Sequence, residues 1–143
     1  MPVTFTKFNG FVLALAEKKH QLSTDTFYVQ FMNTAPSASA DFVETDLPAD
    51  LGTAGGYTAG GITVGTATAS SQTGGLYTLK IADKVFTASG ASVGPFQYVV
   101  LFNNTATNKD LIGYYDYGSA VTLLDTETFT INFDDANGVL TLQ

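Results

Sequence analysis

The chain has 143 residues, with 13 acidic side chains against 6 basic ones for a formal charge of −7, and every cation is a lysine. An acidic chain without an arginine repels polyanions and lacks the planar donor fork that grips phosphate, so nucleic acid is excluded as a partner. The absence of cysteine removes disulfides, thiolate catalysis and thiolate-bound zinc together.

Charged residues make up only 13% of the chain, about half the usual share, so much of the surface must be Thr, Ser, Asn, Gly and Ala. The length fits one domain over residues 1–143. Residues 1–8 alternate weakly, with Val3 and Phe5 set against Thr4 and Thr6, as in an edge strand or an extended arm. Asn9 can cap a short amphipathic helix in which Phe11, Val12, Leu15 and Ala16 recur at three-to-four spacing, ending near His20. The apolar run 11–16 is shorter than the ~20 residues of a membrane span, and the charged sequel Glu17-Lys18-Lys19-His20 is not a cleavage site for export. No membrane partner is expected. His20 reads as a residue facing the helix C-terminal dipole rather than as a base or ligand.

Phe27, Val29 and Phe31 alternate with Tyr28, Gln30 and Met32, predicting a strand with one dry face. Asn33-Thr34-Ala35-Pro36-Ser37 breaks it, and a long irregular loop over 37–61 follows. Its acids Asp41, Glu44, Asp46 and Asp50 fit no calcium loop by spacing and read as solvated. The glycines of residues 52–61 lack the Gly-Lys-Ser/Thr and the following helix of a phosphate loop, and read as a tight entry into a sheet. Strand patterns recur at 62–68, 76–82, 85–86, 121–123, 126–133 and 139–142. Residues 96–102 form an apolar run that predicts a strand buried on both faces, paired antiparallel with residues 111–117 across a turn-rich loop. The fold class expected is all-β, an antiparallel β-sandwich or jelly-roll-like barrel of about eight strands with one short N-terminal helix. Its core should contain Phe27, Val29, Phe31, Leu79, Ile81, Val99, Leu101, Phe129, Ile131 and Phe133.

Catalytic groupings are sparse. The single His stands beside two lysines and no Gly-x-Ser-x-Gly elbow occurs, so nucleophilic catalysis has no organising base. Paired carboxylates remain open. Asp116, between Tyr115 and Tyr117, reads as a hydrogen-bonded carboxylate before a catalytic one. Asp134, Asp135 and Asn137 can ligate a cation or simply shape an Asx-rich turn. Tyr57, Tyr77, Tyr114 and Tyr115 suit a sugar-stacking platform or a protein interface equally. The expectation is a protein that is not an enzyme and has no cofactor or metal.

The order of the chain resembles a family of small virion structural proteins of tailed bacteriophages. The resemblance rests on the short helix before Asp25-Thr26-Phe27-Tyr28-Val29, the Asn33-Thr34-Ala35-Pro36 break, Gly56-Tyr57-Thr58-Ala59-Gly60-Gly61 and Phe86-Thr87-Ala88-Ser89-Gly90. Residues 94–102, the 111–118 strand, Thr128-Phe129-Thr130-Ile131 and Gly138-Val139-Leu140 extend it over most of the chain. It implies a capsid decoration or cement protein, assembled in the host cytoplasm, that binds the outer surface of the major capsid protein lattice as a homotrimer. A tail, fibre or head-spike component that touches host glycans is the alternative. The resemblance brings no catalytic residues with it. Composition suggests the contacts: Val3, Phe5 and Phe8 on an N-terminal arm, and Phe42, Val43, Leu47 and Tyr57 in the long loop. The competing reading is that both segments fold back over their own barrel.

Overall fold

The computed structural model describes residues 3–134 and 136–143, so the Met1 and Pro2 part of the arm and Asp135 of the proposed turn lie outside the described residues. The two apolar runs at the chain's centre become β7 (Val93–Asn103) and β8 (Leu111–Leu123), an antiparallel ladder running from Phe102↔Leu111 to Val93↔Leu123. On the other side of β7 lies β2 (Phe27–Met32), in unbroken register from Phe27↔Asn103 to Met32↔Tyr98. β1 (Thr4–Lys7) joins the outer edge of β8 and β3 (Ile62–Gly65) that of β2, completing a five-stranded sheet of order β1-β8-β7-β2-β3. The N-terminal segment therefore pairs with its own sheet, Thr4↔Asp116 to Lys7↔Gly113.

Two smaller antiparallel sheets accompany it. β4 (Ala67–Thr73) and β5 (Leu76–Ile81) are joined by Gly74 and Gly75, both at positive φ as a two-residue hairpin turn requires, and β10 (Leu140–Leu142) completes the order β10-β5-β4. β6 (Lys84–Thr87) pairs with β9 (Thr128–Ile131). The fold is all-β and sandwich-like, with ten strands, one α-helix and one short 3₁₀ turn (Glu44–Asp46) among the described residues.

Side chains alternate across a strand, so a strand without polar positions must be covered twice. Val29, Phe31, Val99 and Leu101 enter the main core with Leu79 and Ile81 of β5, Ile131 of β9 and Phe133. Met32, Val100 and Phe102 point the other way, into a second cluster with Phe8 and Leu111 against which Leu47 packs. Every expected core residue is fully buried except Phe129, whose partly exposed ring packs edge-on against Phe96 at 5.1 Å and Tyr117 at 5.0 Å.

Helix α1 (Gly10–Ala16) is shorter than its apolar spacing suggests. Lys18 takes φ 65°, and the N–H groups of Lys18 and Lys19 return to the carbonyls of Leu15 and Ala14, a C-terminal lock that stops the helix before His20. Asn9 has helical φ and ψ and makes no side-chain cap.

The long loop is tied down at many points. β3 pairs with β2 only as far as Val29, leaving the backbone groups of Phe31 on that side without a strand. The loop supplies the partners: Leu51 N–H donates to the Phe31 carbonyl (3.2 Å), and the Phe31 N–H donates to the Tyr57 hydroxyl (3.0 Å). Tyr57 in turn donates to Oδ1 of Asp50 (2.6 Å) and stacks on the Phe31 ring at 5.0 Å. Burial and the Asp50 hydrogen bond push the Tyr57 hydroxyl far above its ordinary pKa, so it stays a donor.

Leu101→Ala should cost about 2–5 kcal/mol of unfolding free energy, and Phe129→Ala less, because part of that ring already meets water. Tyr57→Phe should cost about 1–3 kcal/mol by leaving a buried N–H and a carboxylate oxygen short of partners. Urea denaturation of the three variants checks all of these values.

Candidate functional site

The residues expected to touch a partner are divided by the fold. Phe8 and Tyr57 are fully buried, which removes them from any contact surface: Phe8 fills the second cluster over β7 and β2, and Tyr57 enters the main core against Phe31. Phe5 is half-buried against Tyr115 at 5.0 Å, and Val3 is exposed at the start of β1. Val43 and Leu47 are half-buried. Of the loop residues proposed as contacts, Phe42 alone presents a large exposed face, at 49%.

That face is held rigidly. Phe42 N–H and Val43 N–H both donate to Oδ2 of Asp46 (3.0 and 3.1 Å), while the Phe42 carbonyl accepts from Leu111 N–H (3.1 Å) and Glu44 N–H donates to the Lys109 carbonyl (3.1 Å). The acids read as solvated therefore organise the loop: Asp41 likewise accepts from Ser37 N–H and Asp50 from Gly60 N–H. The Phe42 ring lies directly over Gly10 of α1, where any Cβ would strike it. Leu13, one helical turn along, is 58% exposed, and Val12 beside it is 53% exposed. Gly10 and Leu13, three residues apart, share one side of α1, so Phe42 and Leu13 are exposed apolar side chains on that side, on a pinned backbone, while Val12 is exposed elsewhere on the helix. Val12 and Leu13 escape a sequence reading because the helical period assigns apolar positions to one face without saying which of them the sheet leaves uncovered.

Beside α1 lies a buried polar hub that sequence spacing does not reveal. Nδ2 of Asn103, at the end of β7, donates to Nδ1 of His20 (3.0 Å) and to Oδ2 of Asp25 (2.5 Å). Asp25 also accepts from Gln21 N–H (2.7 Å), and Oδ1 of Asn103 accepts from the N–H groups of Thr105 and Ala106. His20 is buried against Phe11, with ring centroids 5.1 Å apart, and its Nε2 has no hydrogen-bond partner among the described residues. It is a structural member of the hub, not a surface residue facing the helix dipole. Burial lowers the His20 pKa from its ordinary 6.5, outweighing the nearby Asp110 and Asp25 carboxylates that would raise it.

The four tyrosines do not meet. Tyr57 is internal, Tyr77 belongs to β5, and Tyr114 and Tyr115 point to opposite faces of β8, Tyr114 toward Phe8 (5.4 Å) and Tyr115 toward Phe5. Asp116 is exposed and accepts from Nε2 of Gln97 (2.9 Å) and Gly118 N–H (2.8 Å). A concavity of about 590 Å³ opens between β1, β8 and the chain after β9, and Tyr115 and Tyr117 line it together with Asp83, Asn132 and Asp134. Asp134 accepts from the backbone and side-chain amides of Asn137, which hold its carboxyl below the ordinary range. Among the described residues no three His, Cys, Asp or Glu side chains gather as a metal site, and no helix is long and apolar enough to cross a membrane.

No family model, curated protein or solved structure matches the chain.

Because the folded state disfavours protonated His20, the unfolded chain binds more protons between the folded pKa and 6.5, so stability should fall as pH drops through that window. Thermal melting from pH 7 to pH 5 should show this fall, and His20→Gln should flatten it while lowering stability at every pH. A wild-type slope unchanged by the substitution would assign the pH dependence to other groups.

Proposed function

We propose that the protein is a structural component of a tailed-phage virion, a decoration protein that docks as a homotrimer on the outer surface of the major capsid protein lattice. The observation that carries the docking reading is the exposed apolar pair Phe42 and Leu13 on one side of α1. Large apolar groups facing water on a backbone fixed by hydrogen bonds lose little conformational freedom when covered, so burial converts efficiently into affinity. The family resemblance of the sequence supplies the particle, and the neutral hydroxyl-rich composition suits a module that spends its life docked. The contact set thereby shifts from the N-terminal arm to α1 and the Phe42 loop, with Val43 and Leu47 as supports.

Mass-spectrometric stoichiometry of purified particles tests the assignment: hundreds of copies per particle fit decoration, whereas a few or a few dozen fit a tail, fibre or head-spike position. Leu13→Glu and Phe42→Ala should each weaken binding to undecorated particles roughly tenfold or more. Leu13→Glu should leave melting of the isolated protein nearly unchanged, because its side chain is mostly in solvent. Retained binding by both variants would move the docking face elsewhere.

A further inference from the structure

We propose that the cleft between β1, β8 and the chain after β9 is a binding site for a neutral polyhydroxyl ligand, a carbohydrate. Tyr115 and Tyr117, two residues apart on β8, project to the same side, with ring centroids 6.4 Å apart. Tyr115 is only 6% exposed, yet its hydroxyl has no hydrogen-bond partner among the described residues, and neither has that of Tyr117. Neither hydroxyl is sealed away from water, and both side chains line the 590 Å³ cleft, so the two phenols are free to pair with a ligand in a volume within the usual range for small-ligand sites.

The remaining polar groups define the ligand. Asp83 uses Oδ1 to accept from Phe133 N–H (2.8 Å), leaving Oδ2 as an acceptor. Asn132 uses Oδ1 to accept from Asp134 N–H (2.8 Å), leaving its NH₂ as a donor. Carboxylate, amide NH₂ and phenols together offer donor and acceptor positions that closely spaced hydroxyls, which both donate and accept, can match. An anion is repelled, since Asp83 and Asp134 line the cleft and, among the described residues, no lysine does. An ammonium group would satisfy the carboxylate but has no lone pair for the Asn132 donor. Phe5 adds an apolar wall for the C–H face of a sugar ring. The site is at the Val3 end of β1 and the docking face beyond Lys7 at the other, so the inference stands apart from the docking reading.

The test is titration of the ¹⁵N-labelled full chain with neutral trisaccharides built on glucose, galactose, mannose and N-acetylglucosamine, beside choline and lysine as cationic probes, followed by NMR. The expected result is saturable binding of at least one sugar at millimolar concentration, with shifts centred on residues 115–117, 130 and 132. Tyr117→Phe, which removes one hydroxyl from a half-exposed ring, should weaken it roughly tenfold, as should Tyr115→Phe where melting shows that variant folded; Leu13→Glu should not. The proposal is overturned if no sugar binds, if the cationic probes alone bind, or if Tyr117→Phe binds as wild type.

Discussion

The structure depends on one constraint: β7 and β2 have no wet face. Val99 and Leu101 need one cover and Val100 and Phe102 another, so a chain of this length must surround its central sheet with two separate layers. The small sheets provide the first. The second comes from Phe8 and the long loop, with Leu47 packed on the far cluster and Asp50 bridged to Met32. Tyr57 then closes the construction by supplying the hydrogen-bond partner that β3 is too short to give Phe31, which also blunts an otherwise open sheet edge.

This division of labour explains what the sequence discloses. Alternation at Phe27-Val29-Phe31 marks the core-facing side of β2, but Gln30 and Met32, on the side expected to be wet, are buried under the second layer, which alternation alone does not reveal; the unbroken run at 96–102 declares burial on both sides. Phe8 and Tyr57 declare nothing of the kind. An aromatic ring in an irregular segment has no period, so whether it caps its own sheet or seeks a partner is settled by the geometry of a strand elsewhere in the chain. The hub at His20 is hidden for the same reason, since Asn103 lies 83 positions away. The cleft was half legible: the tyrosines of β8 stand out in the sequence, but which pair shares a face depends on strand phase, and it is Tyr115 with Tyr117 rather than with Tyr114.

The two surfaces with proposed roles lie at opposite ends of β1. Its C-terminal end delivers α1 to the Phe42 loop, where exposed apolar side chains sit on a hydrogen-bonded backbone. Its N-terminal end, with Val3 and Phe5, walls a cleft whose polar groups suit something small. A strand of four residues thus separates two surfaces of different chemistry, each carried on the same β8 ladder that forms the spine of the sheet.

The Asn103 hub bears on which sequences can share this fold. One amide accepts from two backbone N–H groups with its oxygen and donates to an imidazole and a carboxylate with its nitrogen. Aspartate at this position would set a second anion against Asp25, a hydroxyl is too short to reach all four partners, and leucine would strip every one of them in a site without water access. Apolar neighbours such as Val100 can drift to residues of similar volume at modest cost. Among diverging descendants of this chain, position 103 should therefore remain asparagine long after the core around it has been rewritten.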